Sequence, residues 1–492
     1  MSFALLISAI ALPYICAILI YVLPAFRKEK LRNAFVSVSL VLPLLLIIAL
    51  CLRPDYSSSV YLLAGVIPIS FMVDATAKMF ALLSASMCLI AGIYAQGYFH
   101  NDNKAHSFFT FYLGTLGSII GVCFAGTAVT LYLFFEFMTL VSVGLVMYNR
   151  DKKAISGGIK YLLYSIVGAM MGLFGIFYFS IGSQTAVFTA GGIVSQEYLA
   201  SNPLLAQWAL LIMIVGFGAK AGMFPMHSWL PSAHPVAPSP ASAILSAVVT
   251  KMGVLSILRM IFFVVGPAFL LGSWMQTTLL ILSLMTVFMG SMMALRTNEL
   301  KKRLAYSSVS QVSYILFGMF MLNGVALQGA MLHVIFHSVM KTLLFLGAGA
   351  IIHQTHQTYV RDLHGIGAKM PITLWCFTIA GVSLVGIPPM SGFLSKYTIA
   401  RGAMLSNIAV FDWFGPAMLL LSALLTAFYL IPIGVEAFYS KKEPLQSVAQ
   451  AKEVPAIMRW PMIVLAALCV LLGLFASPAL SLTQFALRLL IP

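Results

Sequence analysis

Apolar stretches of about 20 residues recur from one end of the chain to the other, and that is the length a helix needs to cross the hydrocarbon core of a bilayer. The pattern predicts about fourteen spans, centred near Ala11, Leu44, Ser86, Gly117, Thr139, Gly172, Ile214, Val249, Leu282, Leu316, Leu343, Ser383, Ala423 and Ala467. None alternates apolar and polar positions as a barrel strand must. Backbone groups in hydrocarbon have to be satisfied internally, so the spans are predicted as helices. The expected fold class is all-α, a polytopic membrane bundle with no linker that would set off a soluble domain.

Two spans carry helix breakers beside a lysine. Span seven reads GFGAKAGMFP, with Gly216, Gly218, Gly222 and Pro225 around Lys220; span twelve reads GIPPMSGFLSK, with Gly386, Pro388, Pro389 and Gly392 before Lys396. Taking spans four to eight and nine to thirteen as two five-helix repeats puts both breaks on the fourth helix of a repeat. An odd number of spans per repeat inverts one copy relative to the other, and matched broken helices in inverted halves point to a transporter pathway. The expected divisions are residues 1–106 for three N-terminal helices, 107–265 for the first half, 266–438 for the inverted second half, and 439–492 for a loop and a final span.

Composition strengthens this picture. The 492 residues are 61% hydrophobic and 8% charged, with mean hydropathy +1.00, whereas soluble domains run at about 25% charged residues. The first stretch, Ser2 to Pro24, has its basic residues after the apolar run rather than before it, so it is expected to be a retained helix and not a secretory signal. The net charge of +15 does not mark nucleic-acid binding, because the basic residues are scattered through short loops. Eighteen fall on one side of the predicted membrane: Arg27, Lys28, Lys30, Arg32, Lys104, Arg150, Lys152, Lys153, Arg296, Lys301, Lys302, Arg303, Arg361, Lys369, Lys441, Lys442, Lys452 and Arg459. Only Arg53, Arg401 and Arg488 fall on the other. By the positive-inside rule both termini are expected outside the cytoplasm. Cys16, Cys51, Cys88, Cys123, Cys376 and Cys469 show no ligand spacing, so neither an iron-sulfur cluster, another metal site nor a disulfide framework is expected.

The remaining seven basic residues lie within or at the edges of spans, where a charge costs roughly 2.5–3.5 kcal/mol at the centre. The most secluded ionisable groups are Glu136, Lys220, Lys251, Lys341 and Lys396. His333 and His337 share a helical face with Lys341 through i, i+4, i+8 spacing. Structural pairing or snorkelling accounts for Lys78, Lys160, Arg259 and Glu436, nearer span ends. For the others, midspan ionisable groups mark an ion pathway, and a Lys whose carboxylate partner approaches or departs can take up or release a proton. The alternative for the His333, His337 and Lys341 stripe is a polar seam that holds helices together. The segment PMHSWLPSAHPVAPSP is too polar and proline-rich for a span, and places His227 and His234 as candidates for proton uptake at the cytoplasmic mouth or as ordinary hydrogen-bonding residues. Asp74 is expected to cap the helix that follows it.

These motifs resemble the proton-conducting, antiporter-like membrane subunits shared by NADH:quinone oxidoreductase (complex I), membrane-bound [NiFe] hydrogenases and formate hydrogenlyases, and Mrp-type sodium/proton antiporters. The resemblance runs from about Phe71 to Phe438 and is carried by FFEFM, GAKAGMFPMHSWLPSAHPVAPSPASAILSAVVTKMG, KRLAYSSVSQVSYILFG, LHVIFHSVMKTLLFLGAGAIIH and GIPPMSGFLSKY. It implies that Glu136 pairs with Lys220, that Lys251 links two half-channels, that Lys396 takes a position held by Lys or Glu, and that His333, His337 and Lys341 form a polar stripe. The chain stops about a dozen residues after its last span, which implies that it lacks the long lateral helix of the largest complex I subunit. The histidine-containing loop looks closer to the hydrogenase type than to the Mrp type.

The resulting expectation is a proton-translocating subunit of a multi-subunit respiratory complex in a prokaryotic plasma or inner membrane. It would hold no cofactor itself, with redox cofactors on partner subunits, and would contact lipid and further membrane subunits, antiporter-like homologues among them. The alternatives are a subunit of an Mrp-type Na+/H+ antiporter without redox chemistry, a stand-alone proton-coupled solute carrier, and a purely structural membrane anchor.

Overall fold

The computed structural model describes residues 2–63 and 67–487, so Arg488 lies outside the described residues. Every predicted span centre falls inside a helix. These helices are α1 (Ser2–Val22), α2 (Glu29–Cys51), α3 (Ala75–Tyr98), α4 (Ala105–Phe124), α5 (Ala128–Val146) and α6 (Lys152–Ile181). There follow α7a (Pro203–Ala221), α7b (Leu230–Val236) and α8 (Ser239–Val265), then α9 (Trp274–Arg296), α10 (Leu300–Phe320) and α11 (Gly324–Thr355). The last are α12a (Pro371–Val385), α12b (Ser391–Met404), α13 (Phe411–Tyr439), α14 (Ala456–Leu474) and α15 (Ser477–Leu487).

Among the described residues, 12 helices are long and apolar enough to cross a membrane. The other two predicted spans are α10, which carries a serine-rich run, and the broken α12. The chain is a multi-pass α-helical membrane protein. Sequence reading missed one antiparallel hairpin, β1 (Tyr56–Leu63) with β2 (Ile67–Val73), registered Tyr56 opposite Val73 and bulged between Ser59 and Tyr61.

Packing repeats along the chain. In one set α4 packs on α5, α5 on α6 and α6 on α7a, as in the other α9 packs on α10, α10 on α11 and α11 on α12b. Both breaks fall on the fourth member of a set. At the first, α7a ends at Gly222 in the left-handed region (φ 85°), which suits a residue without Cβ; at the second, α12a ends at Gly386 in the same way (φ 91°).

Helices α8 and α11 are buried almost all round, as expected for apolar helices at the core of a bundle. Helix α8 is further distorted by two π turns, Leu245–Val249 and Met260–Val265, which flank Thr250–Arg259.

Of the charges assigned to structural roles, Arg259 and Lys78 pair with carboxylates and Glu436 lies 3.3 Å from His364, whereas Lys160, among the described residues, meets only the Tyr164 ring, 6.0 Å away. Asp74 accepts from Ala77 N at 2.8 Å as the α3 cap, and also holds Arg259 through Nη1 and Nη2 at 2.7 and 2.8 Å. Lys78 donates to Asp55 at 2.6 Å and to the Arg53 carbonyl at 2.7 Å. Three residues counted among loop charges are in fact buried: Arg32, Lys301 and Arg303. Packing at helix ends covers them while their head groups meet nearby carbonyls or rings. Arg303 donates to the carbonyls of Thr297 and Tyr429, and Arg32 lies 6.0 Å from the centre of the Phe109 ring.

Candidate functional site

In the first half, small residues on α6 let α7a come close. A Cβ at Gly168 would lie 2.6 Å from the Gly216 carbonyl. This approach brings Lys220, in the last turn of α7a, within reach of α6. Its ammonium donates to Tyr161 OH and Ser165 Oγ, both at 2.9 Å, and to Thr139 Oγ1 on α5 at 2.8 Å. Three donors thus have three acceptors, and the Tyr161 ring centre is 4.4 Å from Nζ. The site lies at the C-terminal end of a helix, where the dipole favours a cation.

Glu136 is half-buried on α5, three residues before Thr139 and so on the same helical face. The implied ion pair is not closed. The Lys220 donors go to hydroxyls, and the shielded Glu136 Oε1 has no protein partner. The carboxylate sits one turn away from the hydroxyl that Lys220 grips.

The second constellation lies where α8, α10, α11 and α12b meet. The Ser246 carbonyl, in the first π turn of α8, accepts from Lys251 Nζ and Thr250 Oγ1, each at 2.7 Å. Lys251 Nζ also lies 2.6 Å from His337 Nδ1. The His337 ring stacks on His333 with centres 5.6 Å apart, and His333 Nδ1 lies 2.9 Å from Ser395 Oγ.

Ser395 is followed by Lys396, whose ammonium donates to the carbonyls of Leu384 and Val385 at 2.6 and 3.2 Å. These carbonyls end α12a, so the break in the helix itself supplies the acceptors that an unbroken helix would have used internally. Lys341 turns instead to α10, bonding Ser307 Oγ and, at 2.9 Å, the Leu304 carbonyl. The hydroxyls of Ser308 and Ser246, 2.7 Å apart, tie that region back to α8.

The segment containing His227 and His234 differs from the expected loop. Part of it is α7b, folded back into the bundle, and the His234 ring is fully buried. It is therefore not at a mouth. It stacks on Phe345 at 4.8 Å, and neither ring nitrogen has a protein partner. The Trp229 ring lies 6.4 Å from the His234 ring and 6.0 Å from Lys220 Nζ. Lys251, Lys341 and Lys301 also lie within electrostatic reach of His234. Lys301 caps α7b by donating to the carbonyls of Pro235, at 3.3 Å, and Ala237.

His227 is only partly covered, against Phe224, and burial together with the nearby Lys160 charge lowers its pKa. Lys160 also lines a polar cleft of about 800 Å³ with Lys152, Lys153 and Lys302. Another cleft, of about 560 Å³, reaches Lys396 and Arg401 from between α12b and α13.

Sequence reasoning therefore found the ionisable members and missed the neutral ones: Thr139, Tyr161, Ser165, Ser246, Ser307, Ser308 and Ser395. Among the described residues no three His, Cys, Asp or Glu side chains converge as a metal site, and all six cysteines are free.

The family model described as NADH:quinone oxidoreductase/Mrp antiporter, TM, matches residues 125–426, which carry all of these groups. The chain is 33% identical over 447 residues to NADH-quinone oxidoreductase subunit N of Desulforudis audaxviator (strain MP104C), covering 86% of each protein. It is 28% identical over 413 residues to a Na(+)/H(+) antiporter subunit of Alkalihalophilus pseudofirmus (strain ATCC BAA-2126 / JCM 17055 / OF4), covering 83% of this chain and 81% of that one. A chain in the structure of the Mrp complex from Dietzia sp. DQ12-45-1b has the same fold, with TM-score 0.86 at 20% identity over 99% of this chain and 97% of that one. Extended sequence identity and a family match across both sets of broken helices lead to one conclusion: the chain belongs to the NADH:quinone oxidoreductase/Mrp antiporter transmembrane family.

Proposed function

We propose that this chain is the proton-translocating, antiporter-like membrane subunit of a multi-subunit respiratory complex of the NADH:quinone oxidoreductase or membrane-bound hydrogenase type. The observation that carries the reading is the buried run of titratable and hydroxyl side chains from Lys220 past His234 to Lys251, His337, His333 and Lys396. Glu136 biases the charge on Lys220 from one helical turn away; Lys220 hands protons towards His234 and Lys251. From Lys251 the proton passes to His337 and His333, and Lys396 delivers it to the cleft beside Arg401. Lys341 shares the stripe and tunes Lys251 through Ser307, Ser308 and Ser246. His227, beside the lysine-lined cleft, serves uptake.

Buried polar atoms need hydrogen-bond partners, so the open positions at Glu136 Oε1 and on the three histidine rings call for bridging water. A hydrated chain of this kind is what proton hopping requires. The chain holds no redox cofactor in this reading, and electrons are handled on peripheral partner subunits, with antiporter-like homologues beside it in the membrane. Residues 1–106, 107–265, 266–438 and 439–492 act as its N-terminal helices, two inverted halves and closing segment. It sits in a prokaryotic plasma or inner membrane with both termini outside the cytoplasm, a reading the basic-residue asymmetry supports.

Substituting Lys220→Ala or Glu136→Ala in the whole complex stops proton pumping while assembly persists. Normal pumping by both variants would falsify the relay. A second reading, as part of an Mrp-type Na+/H+ antiporter, is favoured by the relative from Alkalihalophilus pseudofirmus, whose name carries that activity. Sodium-dependent proton exchange by the purified complex without any electron donor selects that reading instead.

A further inference from the structure

Helices α10 and α11 run antiparallel and meet in rungs. Lys341 of α11 bonds Ser307 of α10, and the rings of His333 and Tyr314 stack with centres 5.8 Å apart. Residues 307, 311 and 314 lie on one stripe of α10, and residues 333, 337 and 341 on one stripe of α11. Helical spacing between those two rungs puts position 311 of α10 at the level of position 337 of α11.

This middle rung is distinguished by what is left over. Gln311 is fully buried, yet neither its Oε1 nor its Nε2 has a protein partner. His337 uses Nδ1 on Lys251 and keeps Nε2 unpartnered as well. Two complementary groups with open valences share one level of the bundle.

The chemistry of His337 requires a partner that can reverse its role. When Lys251 is an ammonium it donates to Nδ1, so Nε2 carries the proton and needs an acceptor. When Lys251 is a neutral amine it can accept from Nδ1–H, so Nε2 becomes a lone pair and needs a donor. A carboxamide offers a carbonyl at one end and an NH2 at the other, and exchanges them by turning about its last torsion. It does this without taking a charge.

We propose that Gln311 is a positioning residue that matches the tautomer of His337 to the charge on Lys251, directly or through one water, by turning its carboxamide with each proton passed. The proposal rests on the relay reading above. The titratable groups facing His337 are Lys251 on α8, His333 and Lys341 on its own helix and Lys396 on α12b, while Tyr314 on α10 stacks on His333. Gln311 is the neutral member of this circle that can serve as donor or acceptor at the free edge of the ring.

The test uses inverted membrane vesicles carrying the whole complex, with the proton gradient read by dye quenching across a pH series. Gln311→Met keeps length and loses both hydrogen-bonding roles, and transport falls about tenfold or more while the amount of assembled complex is unchanged. Gln311→Glu presents an ionised acceptor, holds the proton on Nε2 and the charge on Lys251, and moves the pH profile of transport to the alkaline side by about one unit or more. A packing role would not move that profile. Wild-type transport in assembled Gln311→Met, or a Gln311→Glu profile superposable on wild type, overturns the proposal. So does failure of both variants to assemble, which would make the amide a packing element. Lys220→Ala is measured alongside: an inactive Lys220→Ala with an unaffected Gln311→Met refutes the role of Gln311 alone, whereas an active Lys220→Ala removes the relay on which it rests.

Discussion

Asp74 has two duties that one substitution can separate. It caps α3 through the Ala77 N–H and neutralises Arg259 in a two-point contact, with 5% and 1% of the two side chains exposed. Asn caps a helix about as well as Asp, so Asp74→Asn keeps the cap and removes only the charge. The guanidinium is then left uncompensated in a site where its remaining support is the Phe263 ring at 4.4 Å and the Phe188 ring at 5.8 Å. Breaking a buried pair by removing one partner costs about 3–5 kcal/mol, against about 0.5–2 kcal/mol that the rings supply in either state. The expected loss is therefore the pair itself, roughly a hundredfold to several thousandfold in the folded-to-unfolded ratio at about 1.4 kcal/mol per decade. Unfolding of the detergent-solubilised chain in a graded SDS series, followed by tryptophan fluorescence, measures it. Asp74→Ala should lose about 1 kcal/mol more, for the cap. Asp74→Asn with Arg259→Met should recover most of the loss, because two neutral side chains leave no stranded charge. If Asp74→Asn unfolds within about 0.5 kcal/mol of wild type, the range of ordinary surface changes, the pair contributes nothing and the argument from burial is wrong.

Two further outcomes follow from the site. His234→Leu replaces a fully buried ring whose nitrogens have no protein partner with an apolar side chain, so stability in the same SDS series holds or rises, while proton transport by the complex drops about 100-fold, as for loss of a positioned proton carrier; unchanged transport removes His234 from the relay. At the second break, a Cβ on Gly392 would come within 1.9 Å of the Ser383 carbonyl, so Gly392→Ala forces α12b away from α12a, costs about 1–3 kcal/mol and pulls Lys396 off the Leu384 and Val385 carbonyls. Transport should fall, whereas Gly381→Ala, whose new Cβ would meet Leu430 at an ordinary 3.7 Å, should be silent; equal behaviour of the two alanines in vesicle transport assays would contradict this account of the break.

The helices were legible because hydropathy acts over 20 residues, and local exceptions do not disturb so long an average. Even α10, which is not among the 12 helices apolar enough to pass as spans, was placed by hydropathy around Leu316. What escaped was short or set by tertiary packing. The hairpin occupies a loop in which Tyr56–Leu63 and Ile67–Val73 show no strong alternation. Helix α7b has Pro231 near its start and Pro235 inside it, so its sequence reads as a loop; burial beside Trp229, not propensity, makes it a helix. The same asymmetry holds in the site. A lysine or glutamate at bilayer depth announces itself by its cost, but Ser and Thr in a span commonly bond their own helix, as Thr139 does with the Phe135 carbonyl at 3.1 Å. No energetic signal separates such a hydroxyl from one that also grips an ammonium. Arg32, Lys301 and Arg303 show the converse, since counting loop charges says which side of the membrane they favour and nothing about whether they are covered.

One unbroken helix, α11, bears side chains that reach both halves, and this has a mechanical consequence. His333, His337 and Lys341 span nine residues of α11, about 12 Å of rise, yet they engage three different neighbours: Ser395 on α12b, Lys251 on α8, and Ser307 on α10. The acceptors around Lys220 and Lys396 come from broken or closely approached helices, where a small backbone movement changes a bond. The stripe on α11 has no such freedom, because its helix runs without interruption through the core. In the proposed relay, a displacement at either break changes which partners the α11 stripe meets and does not bend the stripe. Protons then pass between halves whose broken helices adjust separately because α11, unbroken and buried, keeps its side chains in register.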